Sequence, residues 1–249
     1  MLARMDVDAY LERIGADRST GLRELHRLHQ TAVPFENLGI HLGEPVSLAP
    51  ADLHEKIVRR RRGGFCYELN GLFALLLEEL GHEVTRLGAR VDGGPPFDHL
   101  TLLVDGVWLV DVGFGAHSTY PLRFDGRSPQ PDPGGEFTIV PAADGDVDVV
   151  KDGKPEYRIE MRRRELPDFV PTCWWQTTSP DSHFTRKTIC TRLDGDGRIT
   201  ISGRTFIETR GDSRTEHELD TDETLLAAYR DRFHISLPRA PTRPLSPAS

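Results

Sequence analysis

Three side chains with the chemistry of a nucleophile, a base and an orienting acid stand at separate places in the sequence. Cys66 lies in RRGGFCYELNG, His99 in FDHLTLLV and Asp111 in VWLVDVGFG. A cysteine at the start of a helix sits beside unpaired N–H groups and the positive end of the helix dipole, which favour a thiolate. An imidazole can take the proton of that thiol, and a carboxylate can fix the imidazole tautomer. The pattern predicts catalysis by a thiol nucleophile.

Each of these side chains also has an ordinary structural interpretation. A lone intracellular cysteine is most often a small buried hydrophobe, His99 can be a satisfied core histidine, and Asp111 can be a turn residue. The stretch LTLLVDGVWLVD, however, is apolar outside its turn, so each polar group that enters it needs a partner. Cys66 alone leaves both interpretations open. The presence of both His99 and Asp111 favours the catalytic one.

The DG turn between the two strands decides whether His99 and Asp111 meet. A two-residue loop would place them on opposite faces of the hairpin. A three-residue loop that ends at a left-handed Gly106 would pair Leu103 with Val107 and His99 directly with Asp111, roughly 5 Å apart. We predict the second register, because it lets the carboxylate hold the imidazole.

The elements that must position these residues change character along the chain. Up to about residue 80, apolar residues recur at spacings of three and four, which predicts helices. From about residue 84 to 210, short β-rich runs alternate with DG, GG and PP turns, which indicates a barrel or a curved antiparallel sheet. The stretch ELDTDETLLAAYRDRF then returns to a helical period.

The composition bounds the class of protein. The chain has 249 residues, 37% of them hydrophobic, which is enough for a real core. Its net charge of −8 argues against an extended nucleic-acid surface, and its apolar runs are too short for a membrane span. Three cysteines without a CxxC pair indicate neither a disulfide framework nor a zinc site. We expect a cytoplasmic protein without a metal, a nucleic-acid partner or a membrane contact.

With these motifs the sequence resembles the arylamine N-acetyltransferases. The matching stretches follow the family's order over most of the chain: PFENL, RRGGFCYELNG, FDHLTLLV, VWLVDVGFG and TSPDSHFT. The resemblance implies a catalytic triad of Cys66, His99 and Asp111 in a core related to cysteine proteases and transglutaminases. It also implies an α+β fold with an N-terminal helical bundle, a central antiparallel β-barrel and a C-terminal α/β lid.

The coarse pattern and the resemblance together predict where these parts begin and end. The expected division is a helical bundle with the nucleophile at 1–83, a barrel with the histidine and aspartate at 84–175, a lid at 176–238 and a disordered tail at 239–249.

The resemblance further implies the reaction and the residues that serve it. Acetyl-CoA would load Cys66 as a thioester, and an arylamine or arylhydrazine would then take the acetyl group in a ping-pong cycle. The implied CoA contacts are Thr178, Ser179, Ser182, His183 and Phe184. The implied walls of the acceptor pocket are Phe35, Val91 and Phe114, and Arg62 is expected in a structural ion pair nearby.

Two departures from the family pattern leave alternatives open. The intervals between the triad residues are shorter than is usual in the family, so the loop before DHL is trimmed, and Gln176 stands where many members have asparagine. The trimmed loop would widen access for a carrier-bound acyl donor, as in amide synthases of the same family that form macrolactams. A cysteine hydrolase or a transglutaminase-like enzyme would keep the triad but pass the acyl group elsewhere.

Overall fold

The computed structural model describes residues 5–241. The α-helices within this range are α1 (Val7–Ile14), α2 (Leu22–Ala32), α3 (Leu38–Leu42), α4 (Pro50–His54), α5 (Cys66–Glu79), α6 (Val170–Thr178), α7 (His183–Arg186) and α8 (Asp222–Phe233). The first strands are β1 (Phe35–Glu36), β2 (Val84–Val91), β3 (His99–Val104), β4 (Trp108–Val110), β5 (Leu122–Arg123), β6 (Gln130–Asp132) and β7 (Gly135–Pro141). The remaining strands are β8 (Val147–Lys151), β9 (Lys154–Arg164), β10 (Ile189–Asp194), β11 (Gly197–Ser202), β12 (Thr205–Arg210) and β13 (Ser213–Glu218).

The larger of two antiparallel sheets has eight strands in the order β5-β4-β3-β2-β9-β8-β7-β6. Its two edge strands approach each other and are joined by a side chain. The amide of Gln130 on β6 accepts a hydrogen bond from the Arg123 backbone N–H at 2.6 Å and donates to the Arg123 carbonyl at 3.0 Å. These contacts give hydrogen-bond partners to backbone groups of an edge strand that would otherwise lack them. The predicted antiparallel barrel is confirmed as a nearly closed one.

The second sheet has five strands in the order β1-β10-β11-β12-β13. Helix α8 covers one of its faces, where Ile199, Ile201 and Phe206 pack with Tyr229 and Phe233. Strand β1 was not expected, because it lies in the region that the periodicity predicts to be helical. Two residues of PFENL thus pair with the C-terminal part of the chain and bring the N-terminal region beside it.

Helix α5 forms the centre of the larger core. Of its 14 residues, 11 are buried, among them Leu69, Leu72, Phe73 and Leu76. Burying one such side chain contributes about 2 kcal/mol to stability. This packing holds the helix against α1 and β3 and so fixes the position of its first residue, Cys66.

The predicted division into three parts stays a prediction. The eight-stranded sheet ends at Arg164, and α6 begins within the range predicted for the barrel. Ala240 is buried in the cluster around α8, so packed chain continues past the predicted start of the tail. Residues 242–249 of that tail, and residues 1–4 of the predicted bundle, lie outside the described residues. Across residues 5–241, no helix is both long and apolar enough to cross a membrane.

Candidate active site

Cys66 is the first residue of α5, as the sequence predicted, and only 3% of it is exposed. It lines a cleft of about 550 Å³. The two glycines before it permit close approaches that a side chain would prevent. A Cβ on Gly63 would lie 1.9 Å from the Pro34 carbonyl oxygen, and one on Gly64 would lie 2.8 Å from Glu68. The glycine pair therefore lets the loop that carries the thiol pack against the chain beside β1.

The start of α5 is held by the carboxylate of Glu68. That carboxylate accepts the Phe65 backbone N–H at 3.3 Å and pairs with Lys56 at 2.7 Å. The backbone N–H groups of Cys66 and Tyr67 belong to the first turn, where a helix supplies no acceptor of its own. They are candidate donors to an oxyanion that forms beside the thiol.

His99 and Asp111 meet in the core beneath the cleft. The His99 Nε2 and Asp111 Oδ2 atoms are 2.6 Å apart, and the two side chains are 3% and 1% exposed. The predicted contact between imidazole and carboxylate is confirmed. His99 also lines the cleft together with Cys66, so the imidazole and the thiol open onto the same space.

The register of the hairpin that carries this pair differs from the prediction. Val104 pairs with Trp108, so the ladder continued past β4 places Asp111 opposite Thr101. The prediction had placed Asp111 directly opposite His99, and that register is wrong by two residues. A shift of two keeps every side chain on its own face. The two side chains therefore still meet, as diagonal neighbours of the pleat.

The physical reason for the shift lies in the turn. Asp105 and Gly106 both adopt positive φ, 53° and 67°, whereas the prediction required this of the glycine alone. Asp105 is held there because its carboxylate accepts the Glu83 backbone N–H at 2.9 Å and contacts His82 at 2.8 Å. These tertiary contacts select a turn that the local sequence did not specify.

Four donors surround the carboxylate of Asp111. Besides His99, Tyr157 donates its hydroxyl to Oδ2 at 3.1 Å, while Asn70 and the Gly113 backbone donate to Oδ1 at 2.9 and 3.0 Å. Burial by itself raises the pKa of Asp111, but the His99 charge and hydrogen bond outweigh it and hold the pKa well below its usual range. The carboxylate is therefore ionised and fixed in orientation.

Asn70 is a site residue that the sequence analysis missed. It lies four residues after Cys66, one turn along α5, and is fully buried. Its amide also donates to the Leu100 carbonyl at 2.6 Å and accepts the Val112 N–H at 2.9 Å. Asn70 thus ties α5 to β3 and to the segment that follows β4. The available signal was an asparagine inside the apolar helix CYELNGLFALLLEE.

The environment of the thiol acts against the expected thiolate. Burial raises the pKa of Cys66; a backbone hydrogen bond at Leu100 lowers it, and Cys173, Asp111 and Asp98 raise it further. This direction is opposite to the one expected from the helix N-terminus. The helix dipole alone therefore does not ionise Cys66, and the thiol proton needs an acceptor such as His99.

The three residues expected to form the acceptor pocket all line the cleft with Cys66. Phe35 comes from β1, Val91 from the end of β2, and Phe114 follows β4. The Phe114 ring stands edge-on to the His99 imidazole, with ring centroids 5.1 Å apart. A Cβ on Gly113 would lie 2.8 Å from Cys66 Cα, so glycine is needed for this segment to reach the nucleophile.

The residues expected to contact CoA divide into two groups. His183 and Phe184 line the cleft, whereas Thr178 and Ser179 do not. Ser182 is fully buried, and its hydroxyl donates to the Gln176 carbonyl and side-chain oxygens, both at 2.7 Å. The Ser182 hydroxyl therefore has a structural role, and a CoA contact of this residue stays a prediction. The hydroxyl shapes the turn between α6 and α7.

Gln176 and Arg62 organise the surroundings of the cleft. The Gln176 amide donates to Asp98 Oδ1 at 2.6 Å. The glutamine that stands where many family members have asparagine thus links α6 to the residue before His99. Arg62 is buried and pairs with Glu36 at 2.9 Å and with Glu44 at 3.2 Å. The expected structural ion pair is confirmed, and the pair anchors the loop before the glycines.

A thiol at the start of a buried helix, in one cleft with a histidine that an aspartate orients, is the arrangement of enzymes that use a cysteine nucleophile. No group of three or more His, Cys, Asp or Glu side chains that could hold a metal ion occurs among residues 5–241. The fold and the site together define a class of thiol-dependent enzyme built on a helical region, a barrel and a second sheet.

Comparisons with known proteins identify the family within that class. The model of the N-acetyltransferase family matches residues 20–242. The arylamine N-acetyltransferase of Mycolicibacterium smegmatis is 35% identical over 94% of this chain and 93% of its own length. The arylamine N-acetyltransferase / N-hydroxyarylamine O-acetyltransferase of Salmonella typhimurium is 33% identical over 79% of this chain and 75% of its own.

Solved structures agree with the sequence comparisons. The arylamine N-acetyltransferase of M. smegmatis superposes with a TM-score of 0.85 at 34% identity, covering 94% of this chain and 93% of that one. The Mycobacterium marinum arylamine N-acetyltransferase in complex with CoA gives 0.85 at 31% identity, covering 92% and 93%. The chain belongs to the arylamine N-acetyltransferase family.

Proposed function

We propose that this chain transfers an acetyl group from acetyl-CoA to an arylamine or arylhydrazine through a thioester on Cys66. The observation that carries the proposal is the cleft in which Cys66 lies with His99, whose imidazole is held 2.6 Å from Asp111. The known relatives include an N-hydroxyarylamine O-acetyltransferase and a protein solved in complex with CoA. Those properties support the same chemistry for this chain.

In the first half-reaction His99 holds the proton of the Cys66 thiol, and the thiolate sulfur attacks the acetyl carbonyl. The negative charge on the carbonyl oxygen is received by backbone N–H groups at the start of α5. The bond between the acetyl carbon and the CoA sulfur then breaks, and His99 returns the proton to the departing thiolate. Asp111 stabilises the imidazolium and keeps its other nitrogen toward the nucleophile.

In the second half-reaction the acceptor nitrogen attacks the thioester carbonyl. Arylamines are weak bases and mostly unprotonated near neutral pH, so the enzyme has only to take a proton as the C–N bond forms. His99 accepts that proton, and the bond between the acetyl carbon and the Cys66 sulfur breaks. The thiol is then restored for the next cycle.

The remaining assignments belong to the same proposal. His183 and Phe184 are placed at the cleft and are the residues of TSPDSHFT best situated to contact the acyl donor. Phe35, Val91 and Phe114 would enclose the aromatic ring of the acceptor. The cysteines Cys66, Cys173 and Cys190 are free thiols, which fits a reducing compartment such as the cytoplasm.

The proposal is tested by following CoA release and acceptor acetylation together. With acetyl-CoA and 4-methylaniline we expect CoA and acetylated amine in equal amounts, with parallel double-reciprocal plots at several acceptor concentrations. Rapid CoA release with acetate as the product, whether or not the amine is present, would instead show a hydrolase. Failure with acetyl-CoA but lactam formation from a long-chain aminoacyl thioester would show an amide synthase.

A further inference from the structure

The charges that line the cleft around Cys66 are of one sign. Asp92, Asp98 and Asp181 all face it, and no lysine or arginine belongs to its lining within the described part of the chain. The other ionisable groups in the lining are the thiol itself and two imidazoles, those of His99 and His183. A ligand in this cleft therefore meets a field that favours positive charge.

Two of these carboxylates have no lysine or arginine partner within residues 5–241. Burial raises the pKa of Asp98, while the neighbouring His99, a backbone hydrogen bond at Val91 and the Gln176 amide at 2.6 Å lower it. Asp92 is exposed and has no ion pair within residues 5–241. Asp181 is partly compensated, since Arg186 lies 3.5 Å away, but both side chains are largely exposed. Neutral hydrogen bonds fix a carboxylate without removing its charge.

Aromatic side chains line the same cleft as the carboxylates. Trp175 is 37% exposed although it is a large apolar side chain, and it lines the cleft with Asp98 and Asp181. The Phe35 and Phe184 rings, with centroids 6.2 Å apart, form another part of the wall. Aromatic faces attract organic cations, and carboxylates at the rim add to that attraction. An anionic acceptor would find neither a cation to pair with nor a favourable field.

We propose that Asp92, Asp98 and Asp181, with Trp175, make the acceptor site selective for aromatic amines or hydrazines that carry a cationic substituent, against those that carry a carboxylate. This inference rests on the proposed function, because it concerns the second half-reaction of that cycle. The three carboxylates act on the acceptor through space and take no part in bond making. They are specificity-determining residues, distinct in role from His99 and Asp111.

The test uses acceptors that differ mainly in the charge of the substituent opposite the amine. They are (4-aminobenzyl)trimethylammonium, 4-methylaniline and 4-aminophenylacetate, each with one reactive arylamine. Cys66 is loaded either with acetyl-CoA or with p-nitrophenyl acetate, which carries no phosphates. Burial raises the pKa of Asp98, so the assays run at about pH 8, well above the ordinary range of carboxyl groups.

We expect kcat/KM to fall from the cation through the neutral amine to the anion, with a cation-to-anion ratio of roughly tenfold at low salt. The ratio should be the same with both donors, since the acetyl-enzyme is common to them. It should shrink toward one at about 1 M NaCl, where the screening length is only about 3 Å. Each of the Asp92→Asn, Asp98→Asn and Asp181→Asn variants should lower the ratio, and the triple variant should bring it close to one.

The neutral acceptor corrects for general damage to a variant. The kcat/KM value of each charged acceptor is divided by that of 4-methylaniline in the same variant. Asp212→Asn, in the exposed turn between β12 and β13, is the matched control and should leave the ratio unchanged. A preference for the anion, or a ratio that the triple variant does not move, would overturn the inference while acetyl transfer itself remains. Absence of transfer to every acceptor from both donors would instead refute the proposed function.

Discussion

Replacing His99 or Asp111 by alanine is expected to lower kcat/KM for acetyl transfer by on the order of a thousandfold each. The reason is that the imidazole carries the proton in both half-reactions, and the carboxylate 2.6 Å away fixes its tautomer and stabilises its charge. Because the two side chains act as one unit, the double variant should be little slower than the slower single variant. Steady-state kinetics of the wild type, the two single variants and the double variant measure this double-mutant cycle.

The matched control for the histidine is His217→Ala on the exposed strand β13, which should keep normal activity. Folding is checked separately, because Asp111 is buried and its loss leaves the donors Asn70 and Tyr157 without their acceptor. Asp111→Asn keeps the shape of the carboxylate and should retain the fold while activity stays low. Losses that simply add in the double variant would show that the pair does not work as a unit.

Alkylation of Cys66 by iodoacetamide is expected to stay fast down to about pH 6, with a reactivity midpoint well below the free thiol's value of about 8.5. Burial and the nearby carboxylates raise the pKa of Cys66. A thiolate at neutral pH therefore requires a proton on His99, which lines the same cleft. The imidazolium lowers the thiol pKa, and without it burial and the nearby carboxylates, which raise that pKa, remain.

In His99→Gln the midpoint should therefore move above about 8.5, and alkylation should fall about tenfold for each pH unit below it. The midpoint of Asp111→Asn should lie between those of this variant and the wild type, because the loss of the carboxylate charge destabilises the imidazolium without removing it. Cys66→Ala reports any alkylation of Cys173 and Cys190, both of which are buried. A wild-type midpoint at or above 8.5 would show a resting thiol that is deprotonated only as it attacks.

The sequence was sufficient to predict the contact between His99 and Asp111 because polar side chains are conspicuous in apolar segments. His99 and Asp111 stand in a hairpin that is otherwise apolar, so a contact between them gives each buried polar group a hydrogen-bond partner. The predicted register was nevertheless wrong by two residues. Alternating patterns repeat every two residues, so they distinguish faces but not shifts by two. The turn that fixes the shift depends on Glu83 and His82, outside the hairpin strands.

The features that the sequence did not reveal depend on the folded structure. Tyr157 reaches Asp111 from β9, 46 residues away, and nothing near either residue indicates the pairing. Ser182 lies in a turn motif that is compatible with a ligand contact, and only the tertiary structure shows its hydroxyl turned inward to Gln176. Strand β1 is two residues long, too short for an alternating pattern to mark it.

The most direct test of the central claim, that Cys66 carries the acetyl group, is an intact mass spectrum after incubation with acetyl-CoA alone. We predict one added acetyl group on the wild-type protein and on the Cys173→Ala and Cys190→Ala variants, and none on Cys66→Ala. Addition of an arylamine should return the wild-type mass to its starting value. Acetylation of Cys66→Ala at a rate comparable with the wild type would contradict the account.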